Sequence, residues 1–188
     1  MNSGRQSPYF FNTGLCNNGN LLSSLADFYA SSIISNSIEY DFIFGPAYKG
    51  ITLATSISQV LYTKHSINKP YCYNRKEAKT HGETGIFVGA KPKGSSLIVD
   101  DVISSGKSIS DSIELLENNH AEVTSILVAF DRMEVGNEKR ASTELSKNHS
   151  ISVHSIITLE DIIEYIKSTN SLRKHLPELE EYIAKYKR

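Results

Sequence analysis

One stretch in the middle of the chain constrains the fold more than any other. It covers residues 96–108 and reads SLIVDDVISSGKS. Its first part is apolar and β-branched, which is typical of a strand buried in a parallel sheet. Two acids, Asp100 and Asp101, then precede a small-residue turn, and apolar residues recur at helical spacing from Ile109 onward. The stretch therefore predicts a buried strand, an acidic strand end, a tight loop and a helix.

This arrangement favours a ligand with hydroxyl groups on one side and a phosphate on the other. Free N–H groups at a helix start bind phosphate without side-chain charge. The neighbouring carboxylates would repel a bare phosphate but would accept hydrogen bonds from a sugar, or face a metal ion that the ligand brings. Gly106-Lys107-Ser108 ends like a P-loop, but Asp101 stands where that motif needs its first glycine, which argues against a nucleoside triphosphatase.

Composition excludes several other classes of function. The 188 residues suffice for one domain with a sizeable core, and we expect a single domain over residues 1–188. Lys plus Arg (20) nearly balance Asp plus Glu (21), so nothing points to nucleic acid or an anionic membrane. No apolar run approaches the ~20 residues of a membrane helix. The two cysteines form neither a disulfide framework nor a zinc motif, which favours a reducing, cytoplasmic setting.

Apolar periodicity predicts an α/β fold, a doubly wound and mostly parallel sheet flanked by helices. The predicted strands lie at 41–44, 71–73, 86–88, 96–99, 123–130 and 151–157, and the predicted helices at 21–33, 51–61, 109–116, 138–148, 159–166 and 172–186. Residues 75–85 are charged and lack periodicity, so we expect a mobile loop there. Ligands of such sheets bind beyond the carboxyl ends of the strands, where residues 45–50, 100–108 and 131–132 fall.

Positive charge is concentrated at two places. Lys49 follows a Gly-Pro strand exit and suits a phosphate, although this segment alone favours an ordinary loop with a surface lysine. Within seven residues, the segment 75–81 carries Arg75, Lys76, Lys79 and His81. Such a segment suits a lid over a polyphosphate, and a solvated charged loop is the alternative.

Five ordered stretches resemble the orotate branch of the type I phosphoribosyltransferases. They are SPYFFN at 7–12, FGPAYKG at 44–50, NRKEAKTHGE at 74–83, the central run, and DRME at 131–134. The resemblance implies transfer of a 5-phosphoribosyl group from phosphoribosyl pyrophosphate (PRPP) to orotate, which gives orotidine 5′-monophosphate and pyrophosphate. It also implies Mg²⁺ held mainly through PRPP, with no direct protein ligand. A weakened PRPP-binding regulator and a purine phosphoribosyltransferase on the same fold are the alternatives.

The same resemblance assigns roles to individual residues. The implied catalytic residues are Lys79, His81, Asp100 and Asp101. The implied PRPP-binding residues are Tyr48, Lys49, Arg75, Lys76, Lys79, His81, Asp100, Asp101, Val102, Ile103, Ser104, Ser105, Gly106, Lys107 and Ser108. The implied orotate-binding residues are Phe10, Phe11, Ser104 and Arg132. A homodimer is implied as well, with loop 75–85 reaching the neighbouring site.

The chain departs from the family's pattern in two ways. Members usually carry a further N-terminal segment that ends in a PRPP-contacting lysine, and Asn2 stands at that position here. We therefore expect a reduced N-terminal hood and weaker substrate binding. Lys107 replaces the usual threonine of the phosphate loop, and either a supplementary phosphate contact or solvent exposure fits it.

Overall fold

Strands and helices alternate along the chain in the computed structural model, which describes residues 7–79 and 85–186. The strands of this part are β1 (Phe42–Gly45), β2 (Tyr71–Lys79), β3 (Gly85–Gly89), β4 (Gly94–Ile103), β5 (Ala121–Asp131) and β6 (Ser152–Thr158). Its helices are α1 (Gly19–Ser35), α2 (Lys49–His65), α3 (Lys107–Glu117), α4 (Ala141–His149), α5 (Leu159–Ser168) and α6 (Leu176–Tyr186). Short 3₁₀ turns at Thr13–Leu15 and Arg173–His175 precede α1 and α6.

The strands form one sheet in the order β3-β2-β1-β4-β5-β6. Neighbouring strands pair in parallel except β2 and β3, which are antiparallel. This order confirms the predicted doubly wound, mostly parallel α/β sheet. The strand order reverses between β1 and β4, and ligands bind such sheets at this switch point.

Helices cover both faces of the sheet because its central strands are apolar on both sides. Ile43 and Leu97 pack in the core beneath α1 and α2, whereas Phe44 and Ile98 pack in the core beneath α3 and α4. All four side chains are completely buried. Burial of each contributes about 1.5–3 kcal/mol, so β1 and β4 form a firm base for the loops at their ends.

The predicted loop at 75–85 is wrong in its described part. Residues 75–79 continue β2, and β3 begins at Gly85, which pairs with Lys79. The lack of apolar periodicity was misleading here, because backbone pairing of β2 with the edge strand β3 does not require an apolar face. Residues 80–84, including His81, lie outside the described residues, as does Asn2.

The fourth helix begins later than its polar sequence predicts. The helix expected from residue 138 starts at Ala141. The Glu144 carboxylate accepts hydrogen bonds from the backbone N–H groups of Asn137, Glu138 and Lys139, at 2.8, 2.6 and 2.6 Å. These bonds fold the segment into a turn, so it cannot continue the helix. In the part of the chain described above, no helix is long and apolar enough to cross a bilayer.

The junction between β1 and α2 is unusually close. A Cβ added to Gly45 would lie 2.0 Å from the carbonyl oxygen of Gly50, so only glycine fits there. This contact turns the chain sharply at the carboxyl end of β1 and brings Lys49 to the edge of the sheet.

Candidate active site

The predicted site segments meet at one edge of the sheet, because β1, β4 and β5 are adjacent and parallel. A cavity of about 500 Å³ opens between the loop after β1 and the loop after β4. It is lined by Pro46 and Ala47 on one side and by residues 104–108 on the other. A larger cleft of about 640 Å³, between Ser7 and α6, is lined by none of the predicted site residues.

The loop after β4 forms a cradle, open to the cavity, at the start of α3. Gly106 caps the helix with φ +80°, and no side chain makes a capping hydrogen bond there. The first N–H groups of a helix have no acceptor in a preceding turn, so they remain available to a ligand. Val102, Ser104, Ser105, Lys107 and Ser108 line the same cavity. A phosphate group fits this cradle in size and charge.

The carboxylate of Asp101 is held by two neighbours. It is 8% exposed, it forms an ion pair with Lys49, and its Oδ2 accepts a hydrogen bond from Thr13 Oγ1 at 2.8 Å. The Asp100 carboxylate accepts the backbone N–H of Asp101 at 2.9 Å. Tyr29 donates its hydroxyl to the Asp100 carbonyl oxygen at 2.7 Å. The acidic strand end is therefore held by residues of α1, of α2 and of the turn that precedes α1.

Asp100 has a strongly perturbed ionisation. Burial, and next the charge of Asp101, raise the pKa of Asp100 to about 7. At neutral pH the group therefore exchanges between acid and carboxylate. Such perturbed groups cluster at functional sites, where a protonation state is coupled to ligand binding.

Three of the predicted PRPP-binding residues, Tyr48, Lys49 and Lys76, lie at or near the loop after β1. Tyr48 is 66% exposed, and Lys76 Nζ lies 4.7 Å from the centroid of its ring. Lys49 follows Tyr48 and is half-exposed at its side chain. The backbone N–H of Ala47 donates to Asn74 Oδ1 at 2.9 Å, which ties this loop to β2. The peptide bond between Ala47 and Tyr48 is cis.

Of the three other predicted cations, one lies along β3, and the side chains of the other two are outside the described part. The Arg75 guanidinium donates to the carbonyl oxygens of Gly85 and Phe87, both at 3.3 Å, so it lies along β3. The backbone of Lys79 ends β2, but its side chain is not among the described ones. His81 lies in the undescribed segment.

The predicted base-binding residues are divided between surface and interior. Phe10 is 70% exposed, whereas Phe11 packs against Phe130 with ring centroids 5.2 Å apart. Arg132 is only 3% exposed, and its side chain bonds to Glu134 and Ser7. Ser104 lines the phosphate-sized cavity instead.

Comparison with known proteins identifies the family. A phosphoribosyl transferase domain model matches residues 17–174. Over 187 residues the chain is 45% identical to the orotate phosphoribosyltransferases of Haemophilus ducreyi and Vibrio cholerae, which covers 99% of this chain and 88% of each relative. The chain belongs to the orotate phosphoribosyltransferase family.

Solved structures of the orotate phosphoribosyltransferase family share this fold. The enzyme of Francisella tularensis matches all of this chain and 87% of its own, with a TM-score of 0.84 and 37% identity. The enzyme of Aeropyrum pernix matches 90% of both chains, with a TM-score of 0.69 and 29% identity. The family resemblance drawn from the five motifs is thereby confirmed.

Four residues at this orotate phosphoribosyltransferase site were missed by sequence reasoning. They are Thr13, Asn74, Glu134 and Tyr182. Asn74 and Glu134 lie inside quoted motifs, which gave the only available signal. Thr13 and Tyr182 are 88 and 50 residues from their partners Asp101 and Arg132, and no local pattern links such positions.

Proposed function

We infer that this chain transfers the 5-phosphoribosyl group from PRPP to orotate, giving orotidine 5′-monophosphate and pyrophosphate in pyrimidine nucleotide biosynthesis. The observation that carries the inference is 45% identity over 99% of the chain to enzymes named for this reaction. The acidic pair beside a phosphate-sized cradle supports it. We treat residues 1–188 as one phosphoribosyltransferase domain, since the described strands form one sheet.

The ribose and its 5′-phosphate would lie side by side at the carboxyl end of β4. We propose that the backbone of residues 102–108 holds the 5′-phosphate in the cavity. Asp100 and Asp101 would accept hydrogen bonds from the ribose hydroxyls. As the C1–O bond to pyrophosphate breaks and the bond to the orotate nitrogen forms, positive charge develops on the ribose, and the nearby carboxylates favour it.

The diphosphate would lie on the cationic side, between Tyr48, Lys49 and Lys76. Lys49 forms an ion pair with Asp101, so a bound diphosphate would compete with this carboxylate for the lysine's charge. Segment 75–85 supplies three further proposed diphosphate ligands, Arg75, Lys79 and His81. Lys79 and His81 would offset negative charge on the departing pyrophosphate.

Magnesium would be bound mainly through the substrate. No group of three or more His, Cys, Asp or Glu side chains within residues 7–79 and 85–186 is placed to hold a metal ion. Mg²⁺ usually keeps several waters and is bound through substrate phosphates, so the diphosphate and the ribose hydroxyls would hold it with no direct protein ligand. When bound, the ion would neutralise charge on the diphosphate.

Orotate would bind on the β5 side of the ribose. We propose Phe10, Phe11 and Ser104 as contacts of the ring and Arg132 as the partner of its carboxylate, because a guanidinium binds a carboxylate through two parallel N–H groups. We also propose a homodimer in which segment 75–85 reaches the neighbouring site. A cytoplasmic location is proposed because Cys16 and Cys72 are both free thiols.

A direct assay tests the function. Purified protein with PRPP and Mg²⁺ should consume orotate, measured as a fall in its absorbance. It should release one pyrophosphate for each orotate consumed. Turnover of adenine or hypoxanthine but not orotate would instead identify a purine enzyme. PRPP binding without turnover of any base would identify a regulator.

The Asp100 pKa predicts an acid limb in the rate. Below pH about 7 the group is protonated and loses the negative charge that strengthens its bond to a ribose hydroxyl, so kcat/KM for PRPP should fall about tenfold per pH unit. The Asp101→Asn variant removes the neighbouring negative charge and should move this limb to lower pH. A limb that stays in place in Asp101→Asn would belong to the substrate and contradict the assignment.

Thr13 should matter through its hydroxyl. Thr13→Val preserves the side-chain shape but removes the donor to Asp101, so KM for PRPP should rise about tenfold, equivalent to ~1.4 kcal/mol. Thr13→Ser keeps the donor and serves as the matched control. Equal KM values for the two variants would show that the hydrogen bond has no role in PRPP binding.

A further inference from the structure

We propose that Tyr182, on the C-terminal helix α6, is a positioning residue that orients Arg132 toward the carboxylate of the base. The inference rests on the proposed function, because that function assigns Arg132 to orotate. Sequence reasoning gave α6 no part in the site, and the helix lies 50 residues beyond Arg132.

Three polar side chains, those of Arg132, Glu134 and Tyr182, are joined by a closed ring of hydrogen bonds. Arg132 Nε donates to Glu134 Oε1 at 2.5 Å, and Arg132 Nη2 donates to the Tyr182 hydroxyl at 3.1 Å. The same hydroxyl donates to Glu134 Oε1 at 2.5 Å. Arg132, Glu134 and Tyr182 are 3%, 1% and 5% exposed, so water does not compete for these bonds.

Aromatic rings fix the plane of the guanidinium. The Arg132 guanidinium carbon lies 4.5 Å from the centroid of the Tyr9 ring and 6.0 Å from that of Tyr182. The two rings meet edge to face, with centroids 5.8 Å apart. Tyr182 therefore restrains Arg132 through both its hydroxyl and its ring.

One edge of the guanidinium is left for a ligand. Among the described residues, no hydrogen bond engages Nη1, and Nη2 donates its other bond to Ser7 Oγ at 2.8 Å. A carboxylate binds best across two N–H groups on one edge. The Nη1–Nη2 edge is the one that Glu134 does not occupy, and a substrate carboxylate there would displace only Ser7.

The test separates carboxylate recognition from general binding. KM for orotate, KM for PRPP and the inhibition constant of uracil, which lacks the carboxylate, are measured for wild type, Tyr182→Phe, Arg132→Lys and Tyr165→Phe. Tyr182→Phe should raise KM for orotate about tenfold, with KM for PRPP within about twofold and uracil inhibition unchanged. Tyr165 is 64% exposed on α5, so Tyr165→Phe is the matched control and should behave as wild type.

Each failure has its own signature. No orotate turnover by wild type would overturn the proposed function, and an unchanged KM for orotate in Arg132→Lys would overturn the role of Arg132. An effect in Arg132→Lys but not in Tyr182→Phe would overturn only the role of Tyr182. Equal weakening of orotate and uracil binding in Tyr182→Phe would also overturn the role of Tyr182. A Tyr182→Phe chain that does not fold even in the cold would do the same, because both results indicate a purely structural tyrosine.

Discussion

Asp100→Asn should reduce kcat/KM for PRPP at least about 100-fold and, at the same time, make the folded protein more stable at pH 8. The loss of activity follows from removing a charge that faces the developing positive charge of the ribose. The gain in stability follows from the raised pKa, because the folded state holds Asp100 in an environment that disfavours its ionisation.

The sign of the stability change depends on pH. An Asp with a folded pKa of about 7 and an ordinary unfolded pKa releases its proton more readily on unfolding, so the wild type loses stability as pH rises between these values. A shift of about three units corresponds formally to about 4 kcal/mol. Because Asp100 keeps some contact with solvent, we expect roughly half of this, ~2 kcal/mol, as the advantage of the variant.

Chemical denaturation at pH 4.5 and pH 8 measures this difference. The two proteins should have similar unfolding free energies at pH 4.5 and differ by ~2 kcal/mol at pH 8. Glu114→Gln, at an exposed position on α3, is the control for loss of a carboxylate and should not change stability with this pH dependence. Equal stability of wild type and Asp100→Asn at pH 8 would contradict a raised pKa of Asp100 in the folded protein.

Arg132→Met should destabilise the protein by about 3–5 kcal/mol. It removes a cation that is bonded to the Glu134 carboxylate, which is 1% exposed, and breaking a buried ion pair from one side is strongly destabilising. The double variant Arg132→Met with Glu134→Gln removes the carboxylate charge as well and should recover a large part of the loss. Thermal and urea unfolding of the wild type and both variants measure the effect. A single variant as stable as the wild type would mean that the Arg132–Glu134 ion pair does not contribute to stability.

Local sequence was sufficient for the central layout. The apolar run before Asp100 and the small-residue turn after it predicted β4 and α3, because burial on both faces and helical spacing are encoded in adjacent residues. The Gly-Pro pair after β1 likewise marked the end of that strand. Strand β2, which lies beside the edge strand β3, was predicted too short, since its pairing with β3 depends on backbone bonds that side-chain patterns do not report.

The amino-acid sequence by itself determined the order of strands and helices along the chain, the small-residue turn before α3 and the family, because each depends on residues that are neighbours along the chain. The tertiary structure alone decided that Lys49 and Thr13 hold Asp101, and that Tyr182 reaches Arg132. The physical reason is that these bonds join segments brought together only by the packing of the sheet and its helices. Burial at those contacts then sets charge and orientation, which a local pattern does not contain.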